Sequence, residues 1–227
     1  GLLVGLLGLC GVIGCGGDDP QPDAPITIGG GPDPGPDSDP GASGKPGIPT
    51  ANKPATAEQV LEAVGATFTK DDNGIIRTIT CFRNRQLTDS HLTGIATFDQ
   101  LTALDLRGTG LTDAGLRHVA ALGGLQQLYI GKTKVTANGL AHLKDLTSLK
   151  LLNLQDLPVD ADSFTSHLAG LTGLSGLNLA GTAFDDDGLQ ALAELGNLQA
   201  LVLPTSITDA GLKHIAAHNR LETLVLD

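Results

Sequence analysis

The stretch Leu101–Leu116, which reads LTALDLRGTGLTDAGL, decides the fold of this chain. Leu104 and Leu106 lie two residues apart, so both side chains point to the same side of a short strand. Thr112 is a favourable N-cap for a helix, and the leucines from Leu116 onward recur at helical spacing on one face. The stretch therefore predicts a strand, a turn and a capped helix within one short unit.

The unit returns about every 24 residues from Ile76 to the end of the chain. A divergent first copy carries Cys81 in a leucine position and a partial copy begins at Leu221, so we expect about six copies. One unit cannot bury both of its apolar faces, whereas stacked units bury them against one another. The sequence predicts an α/β solenoid over residues 76–227, with parallel strands on its concave face and helices on its convex face.

The repeated pattern, LxxLxLxxTxLTDxGLxxLxxL, resembles the leucine-rich repeat over about two-thirds of the chain. Its LTDxGL turn is similar to the cysteine-containing subtype found beside F-boxes and to the repeats of bacterial lipoproteins. Repeats of this family usually place Asn after the strand, as Asn84 does here. In the other copies this position holds Thr109, Thr133, Leu157 and Thr182. The resemblance implies a scaffold that binds protein and has no enzymatic activity.

Residues 55–75 precede the repeats and are typical of a capping unit. Thr56 begins a helical segment, TAEQVLEAV, and Ala66–Lys70 is typical of a strand. The turn Asp71–Gly74 then leads into a second strand at Ile75–Cys81. We expect this helix and strand to cover the open N-terminal end of the solenoid.

Residues 1–15, GLLVGLLGLCGVIGC, are typical of a signal peptide and too short to span a bilayer as a helix. They lack an initiator Met and a basic segment, so we expect the chain to begin inside that peptide. Their end, Val12–Cys15, resembles the lipobox of bacterial lipoproteins, which implies that Cys15 is lipidated. Several acyl chains on one cysteine would anchor the protein stably. The alternative is a buried helix that contains Cys15.

Residues 16–54 are crowded with Pro, Gly and Asp and have almost nothing to bury, which predicts a disordered tether. By resemblance to lipoprotein sorting rules, Gly16 after the cysteine favours the outer membrane. We therefore expect a bacterial cell-envelope protein that is anchored by lipid and held clear of the membrane surface.

The charge of the chain bears on its partners. The formal net charge is −11, and the sequence shows no Lys/Arg cluster of the kind that neutralises phosphates. This balance argues against nucleic acid as a partner and against anionic lipid headgroups.

Motifs that would carry chemistry are weak. Gly131–Thr133 lacks the glycine five residues earlier that a phosphate-binding loop needs. His214 and His218 lie four apart on a predicted helix, as metal ligands do, but no Cys lies nearby in sequence, which favours a solvated face. Asp185–Asp187 fits a helix cap, and Cys81 fits an inert buried thiol. The sequence therefore predicts no enzyme, no metal and no cofactor, with a catalytic or metal-dependent role as the least favoured alternative.

The residues beside the buried leucines of each strand project from the concave face. Arg and Tyr dominate interface energetics, so we expect a hot spot near Arg107 and Tyr129. The residues predicted to contact a protein partner are Phe82, Asp105, Arg107, Gln127, Tyr129, Asn153 and Gln155. The sequence thus favours an envelope-anchored scaffold that binds an unknown protein through this face.

Two further possibilities follow from the repeats. The LTDxGL pattern also fits a substrate-receptor module of the F-box-associated, ubiquitin-ligase adaptor type, although the chain shows no F-box-like helical domain. An uncovered last strand is a pairing hazard, so Leu221–Leu226 could pair with a second copy of the chain.

Overall fold

The structure, a computed structural model, describes residues 56–227. The predicted signal peptide, its lipidation site Cys15 and the predicted tether at residues 16–54 lie outside the described residues.

Eight strands form one sheet in which the strands follow one another in chain order. The first pair is antiparallel and every later pair is parallel. The strands are β1 (Thr67–Lys70), β2 (Ile76–Thr80), β3 (Ala103–Asp105), β4 (Gln127–Tyr129), β5 (Leu151–Asn153), β6 (Gly176–Asn178), β7 (Ala200–Leu203) and β8 (Thr223–Leu226).

A short helical segment crosses between successive parallel strands. The α-helices are α1 (Ala57–Ala63), α2 (Asp89–Ile95), α3 (Asp113–Val119), α4 (Ala161–His167), α5 (Asp186–Leu189) and α6 (Asp209–Leu212), and the 3₁₀ helices are Asn138–Leu143 and Gln190–Glu194. Helix α1 begins with a capping box in which Thr56 and Gln59 each bond the other's backbone. Helix α1 and strand β1 precede the first parallel strand.

The parallel strands keep one register throughout. Leu104 pairs with Leu128, Leu128 with Leu152, and Leu152 with Leu177, and all four side chains are completely buried. Identical positions therefore stack in columns, and each leucine packs on the leucine of the next turn. This confirms the predicted α/β leucine-rich-repeat solenoid.

The helical segments are shorter than the leucine spacing predicts. The predicted helix that carries His214 and His218 is wrong in extent, because α6 ends at Leu212. Beyond it, His214 N donates to Gly211 O and Ile215 N to Leu212 O, which are the tighter i→i−3 bonds of a closing turn. His218 Nε2 lies 2.9 Å from Leu192 O of the preceding turn, so this imidazole holds two turns together.

An aspartate and a threonine bond neighbouring helix starts to each other, and we name this contact the Asp–Thr latch. Asp113 Oδ1 accepts from the backbone N–H of Thr136 (2.8 Å), and its Oδ2 accepts from the Thr136 hydroxyl (2.6 Å). The same two bonds join Asp89 to Thr112 and Asp186 to Thr208. Each latch satisfies the backbone N–H of a threonine, which is the N-cap residue at Thr112 and Thr208, so the TD of LTDxGL acts between repeats.

The glycine of LTDxGL makes room for the latch. A methyl group added at Gly139 would overlap the carboxylate of Asp113, and additions at Gly115 and Gly211 would overlap Asp89 and Asp186 in the same way. Where the preceding repeat has Ala137 instead of Asp, the glycine position holds Ser163. At Gly115, Gly139 and Gly211 the glycine therefore leaves room for the aspartate of the repeat before it.

The last strand is covered on one side only within the described residues. Leu224 and Leu226 pair with Leu201 and Leu203 and continue their columns, yet they are 41% and 47% exposed. They are exposed because no further described turn packs on them. Pairing of this strand with a second copy stays a prediction.

We expect Gly139→Ala to lower the free energy of unfolding by about 2 kcal/mol, because the methyl forces the Asp113 carboxylate away from Thr136 and breaks two bonds to a charged acceptor. Chemical denaturation measures the change. Gly123→Ala is the matched control, because no atom lies within 4 Å of the added methyl there. Equal midpoints for the two variants would contradict the role of the latch.

We expect the latch at Asp186 to weaken in acid. The Thr208 hydroxyl and backbone N–H hold the pKa of the Asp186 carboxyl below its ordinary value of 3.8. A carboxyl with a lowered folded pKa stabilises the fold above its ordinary pKa, and that stability is lost as pH falls through the folded value. The stability difference between the natural protein and Asp186→Asn should be largest near neutral pH and shrink below about pH 4.

Denaturation series across pH test this, with Asp187→Asn at the exposed neighbouring carboxylate as the control. A stability difference at Asp186 that is the same at neutral and acid pH would contradict the prediction.

Candidate functional site

Three rows of residues cross the concave side of the sheet. The first row lies before the buried leucine of each strand, the second after it, and the third just beyond the next buried leucine. The second row runs Thr80, Asp105, Tyr129, Asn153, Asn178 and Val202 in direct register. Every residue predicted to contact a partner falls on these rows, within four neighbouring turns.

Exposure falls along this surface. Phe82 is 50% exposed, Tyr129 is 8% exposed and Asn153 is 1% exposed. Asp105, Arg107, Gln127 and Gln155 are half-buried. A partner that lies on the concave face would therefore meet Phe82 and Arg107 first and would touch little of Asn153.

Arg107 lies between two aromatic rings. Its guanidinium carbon is 4.9 Å from the centre of the Phe82 ring and 5.2 Å from that of Tyr129. Asp105 binds the same group, with its Oδ1 accepting from Nε (3.0 Å) and its Oδ2 from Nη2 (2.6 Å). Two ring faces and a bidentate carboxylate fix the guanidinium in one orientation, so little entropy remains to be lost on binding.

Tyr129 is the central residue of this cluster. Its hydroxyl donates to Gln127 Oε1 at 3.1 Å. Burial raises the pKa of the Tyr129 phenol, while the Arg107 cation lowers it and the Asp105 carboxylate raises it. Because the chain has one Tyr and no Trp, its aromatic absorbance and emission in the near ultraviolet report mainly on this position.

The second row also has a structural role that sequence reasoning missed. Asn153 Oδ1 accepts from Gln155 N (3.1 Å), Asn178 Oδ1 from Ala180 N (2.8 Å), and Asp105 Oδ1 from Arg107 N (3.1 Å). Each of these side chains bonds the backbone two residues ahead and thereby fixes the turn that follows its strand. An Asp or Asn two residues before a predicted turn is the sequence pattern that could have predicted these bonds.

Asn153 carries one unsatisfied group. Within the described part of the chain its Nδ2 is buried and has no hydrogen-bond partner. An unpaired buried donor costs roughly 1–3 kcal/mol. The unpaired Nδ2 of Asn153 therefore lowers the free energy of unfolding.

The threonines in the usual Asn position bond within their own turn. The hydroxyls of Thr109, Thr133 and Thr182 each donate to the carbonyl three residues earlier at 2.7 Å. Asn84 instead reaches back, with its Nδ2 donating to Val64 O of the turn after α1. Only Asn84 of these four ties its turn to a preceding segment.

The structure brings basic residues together that are far apart in sequence. Arg83, Arg107 and Lys132 follow three successive strands, and Arg83 N donates to Arg107 O at 2.7 Å across neighbouring turns. Sequence reasoning missed this cluster because its members lie a full repeat apart. The repeat alignment was the signal that could have shown it.

The motifs considered for chemistry have structural explanations. Burial raises the pKa of the Cys81 thiol to about 12, which keeps it protonated. Gly131–Thr133 forms the turn after β4, and Asp185 caps α5 by accepting from Gly188 N. Residues 56–227 contain no group of three or more His, Cys, Asp or Glu arranged to hold a metal ion. Over the same residues no helix has the length and apolar character to cross a membrane.

Two solved structures are similar to the chain, both from Listeria monocytogenes str. 4b F2365. The internalin inlF is 26% identical, with a TM-score of 0.49, over 58% of this chain and 36% of that chain. The internalin C2 inlC2 is 20% identical, with a TM-score of 0.44, over 77% of this chain and 93% of that chain. No family model and no curated protein matches the sequence. The leucine-rich-repeat fold follows from the chain's own periodicity and sheet register.

We expect the phenol of Tyr129 to titrate above its ordinary pKa of 10.0, and the Arg107→Ala variant to titrate higher still. The cation stabilises the tyrosinate, so its removal disfavours ionisation. Tyrosinate absorbance in an alkaline titration measures this directly. Arg117→Ala, an exposed arginine on α3, is the control. A pKa that falls in Arg107→Ala would show that the cluster is not arranged as described.

Proposed function

We propose that this protein is a scaffold that binds a protein partner through the concave face of its solenoid. The observation that carries the proposal is the fixed guanidinium of Arg107, held between Phe82 and Tyr129 by Asp105. Restrained aromatic and arginine side chains are typical of interface hot spots.

We further propose that the scaffold is attached to the bacterial cell envelope by lipid at Cys15. The support is the sequence alone, namely the lipobox-like end of residues 1–15 and the Pro/Gly/Asp-rich segment 16–54. In this proposal the repeats supply recognition and the N-terminal residues supply the location. Gly16 favours the outer membrane.

The test is site-specific photo-crosslinking in intact cells. Phe82 is the position for the cross-linking residue, because it is exposed and its replacement leaves Tyr129 in place. We expect a discrete protein adduct, identified by mass spectrometry and recovered again with the partner as bait. Ala121, exposed at the end of α3 away from the strands, is the matched control position. Adducts of the same proteins from both positions would count against concave-face binding.

The anchor is tested in the same cells by Cys15→Ala. We expect the natural protein to fractionate with membranes and the Cys15→Ala variant to be found in the soluble fraction. Membrane association that survives the substitution would remove Cys15 as the anchor and leave the binding proposal intact.

A further inference from the structure

Charge is distributed unevenly along the solenoid. Residues 76–135 contain seven Lys and Arg and four Asp, a balance of +3. Residues 151–212 contain eight Asp and Glu and no Lys or Arg, a balance of −8. The net charge of −11 therefore conceals a basic first half, and the two halves would attract ligands of opposite sign.

Five of the seven cations of the first half follow three successive strands, at one edge of the sheet. The turns after β2, β3 and β4 carry Arg83, Arg85, Arg107, Lys132 and Lys134, which we name the basic rim. These turns are stacked by backbone bonds, as Arg83 N donates to Arg107 O and Gly108 N to Gly131 O. Neighbouring turns are about 4.8 Å apart, so the rim covers a span suited to about four extended residues.

The carboxylates around the rim are already engaged. Asp105 holds Arg107, and Asp156 lies 3.7 Å from Lys132. Asp89 and Asp113 each accept two bonds in a latch. The side chains of Arg85 and Lys134 are exposed to solvent. The rim has five cations against the two carboxylates that pair with them, so an excess of positive charge remains, and Arg85 and Lys134 carry part of it at the surface.

Phe82 adds an apolar contact beside the cations. It is half exposed, and the guanidinium groups of Arg83 and Arg107 lie 5.3 and 4.9 Å from its ring centre. Phe82 is the one exposed large aromatic residue among residues 56–227. A ligand on the rim would thus meet positive charge and one apolar ring together.

We propose that the basic rim and Phe82 bind an acidic segment of the partner protein, with an apolar side chain of that segment packed on the Phe82 ring. The inference rests on the proposed function and names the chemistry of its ligand. A short acidic peptide fits the span of three turns. A long polyanion such as nucleic acid would extend over the second half of the solenoid, where eight carboxylates repel it.

The test uses the full chain and an oligo-glutamate peptide with one central leucine. Emission of Tyr129 gives a label-free reading, because the chain has no Trp and the peptide has no aromatic residue. We expect saturable binding that weakens with salt and that a peptide with glutamine for every glutamate does not show. The double variant Arg85→Glu/Lys134→Glu should weaken binding at least about tenfold.

Matched variants separate the rim from general charge. Lys144→Glu/Lys150→Glu makes the same charge change at exposed lysines outside the rim, and we expect it to bind within about twofold of the natural protein. Phe82→Ala should weaken binding of the leucine peptide but not of a peptide with serine in its place. Circular dichroism confirms that every variant is folded.

Several outcomes would overturn the inference. These are equal binding of the glutamine peptide, equal loss in the two double variants, or tighter binding of a single-stranded oligonucleotide or of phosphatidylglycerol vesicles at the rim. If the natural protein sediments as a dimer and the rim variant as a monomer, the rim binds a second copy of the chain and not an acidic segment of another protein. If the adduct at position 82 persists in the rim variant while the peptide fails to bind, the inference fails and the proposed function stands.

Discussion

The whole structure depends on the fact that one repeat cannot bury its own leucines. Each strand has three to five residues, and each helical segment has between four and seven, so neither is stable alone. Stacking in one register places Leu104, Leu128 and Leu152 in a column that excludes water completely. The concave rows exist because this register is kept, since a slip of one residue would turn the leucines outward and the polar rows inward.

The sequence was sufficient to predict the fold and the rows but not their energetics. Periodicity fixes which positions stack, which is why Asp105, Tyr129 and Asn153 share one row. Spacing within one repeat cannot show contacts between repeats. The Asp113–Thr136 bonds join residues about a full repeat apart, and so does the basic rim. The burial of Asn153 likewise depends on how the repeats stack. Helix length was overestimated at His214 because leucine spacing does not reveal where the closing turn begins.

The concave face combines a structural and a binding role in the same residues. Asp105 fixes the turn after β3 and also orients the guanidinium of Arg107. Asn153 fixes its turn in the same way but leaves a buried donor unpaired. The side chains of this row are thus fixed by bonds to the backbone of their own turns. Because the residue that closes the turn also restrains Arg107, the surface is preorganised at little additional cost in entropy.

Two junctions between neighbouring repeats lack the Asp–Thr latch, and the residues at the latch positions explain why. Where the N-cap is Asp160 or Asp185, the preceding repeat carries Ala137 or Ala161, because an aspartate there would place two carboxylates together. Aspartate thus serves either as the cap or as the latch.

Other contacts are found at these positions. Asp160 and Ser163 bond each other's backbone within one repeat, and the rings of Phe164 and Phe184, from neighbouring repeats, meet edge to face at 5.4 Å. Such a ring pair contributes roughly 0.5–1.5 kcal/mol beyond its burial. The latch returns beyond these two junctions, between Asp186 and Thr208. The solenoid is therefore uniform in its leucine columns, while its two halves differ in net charge.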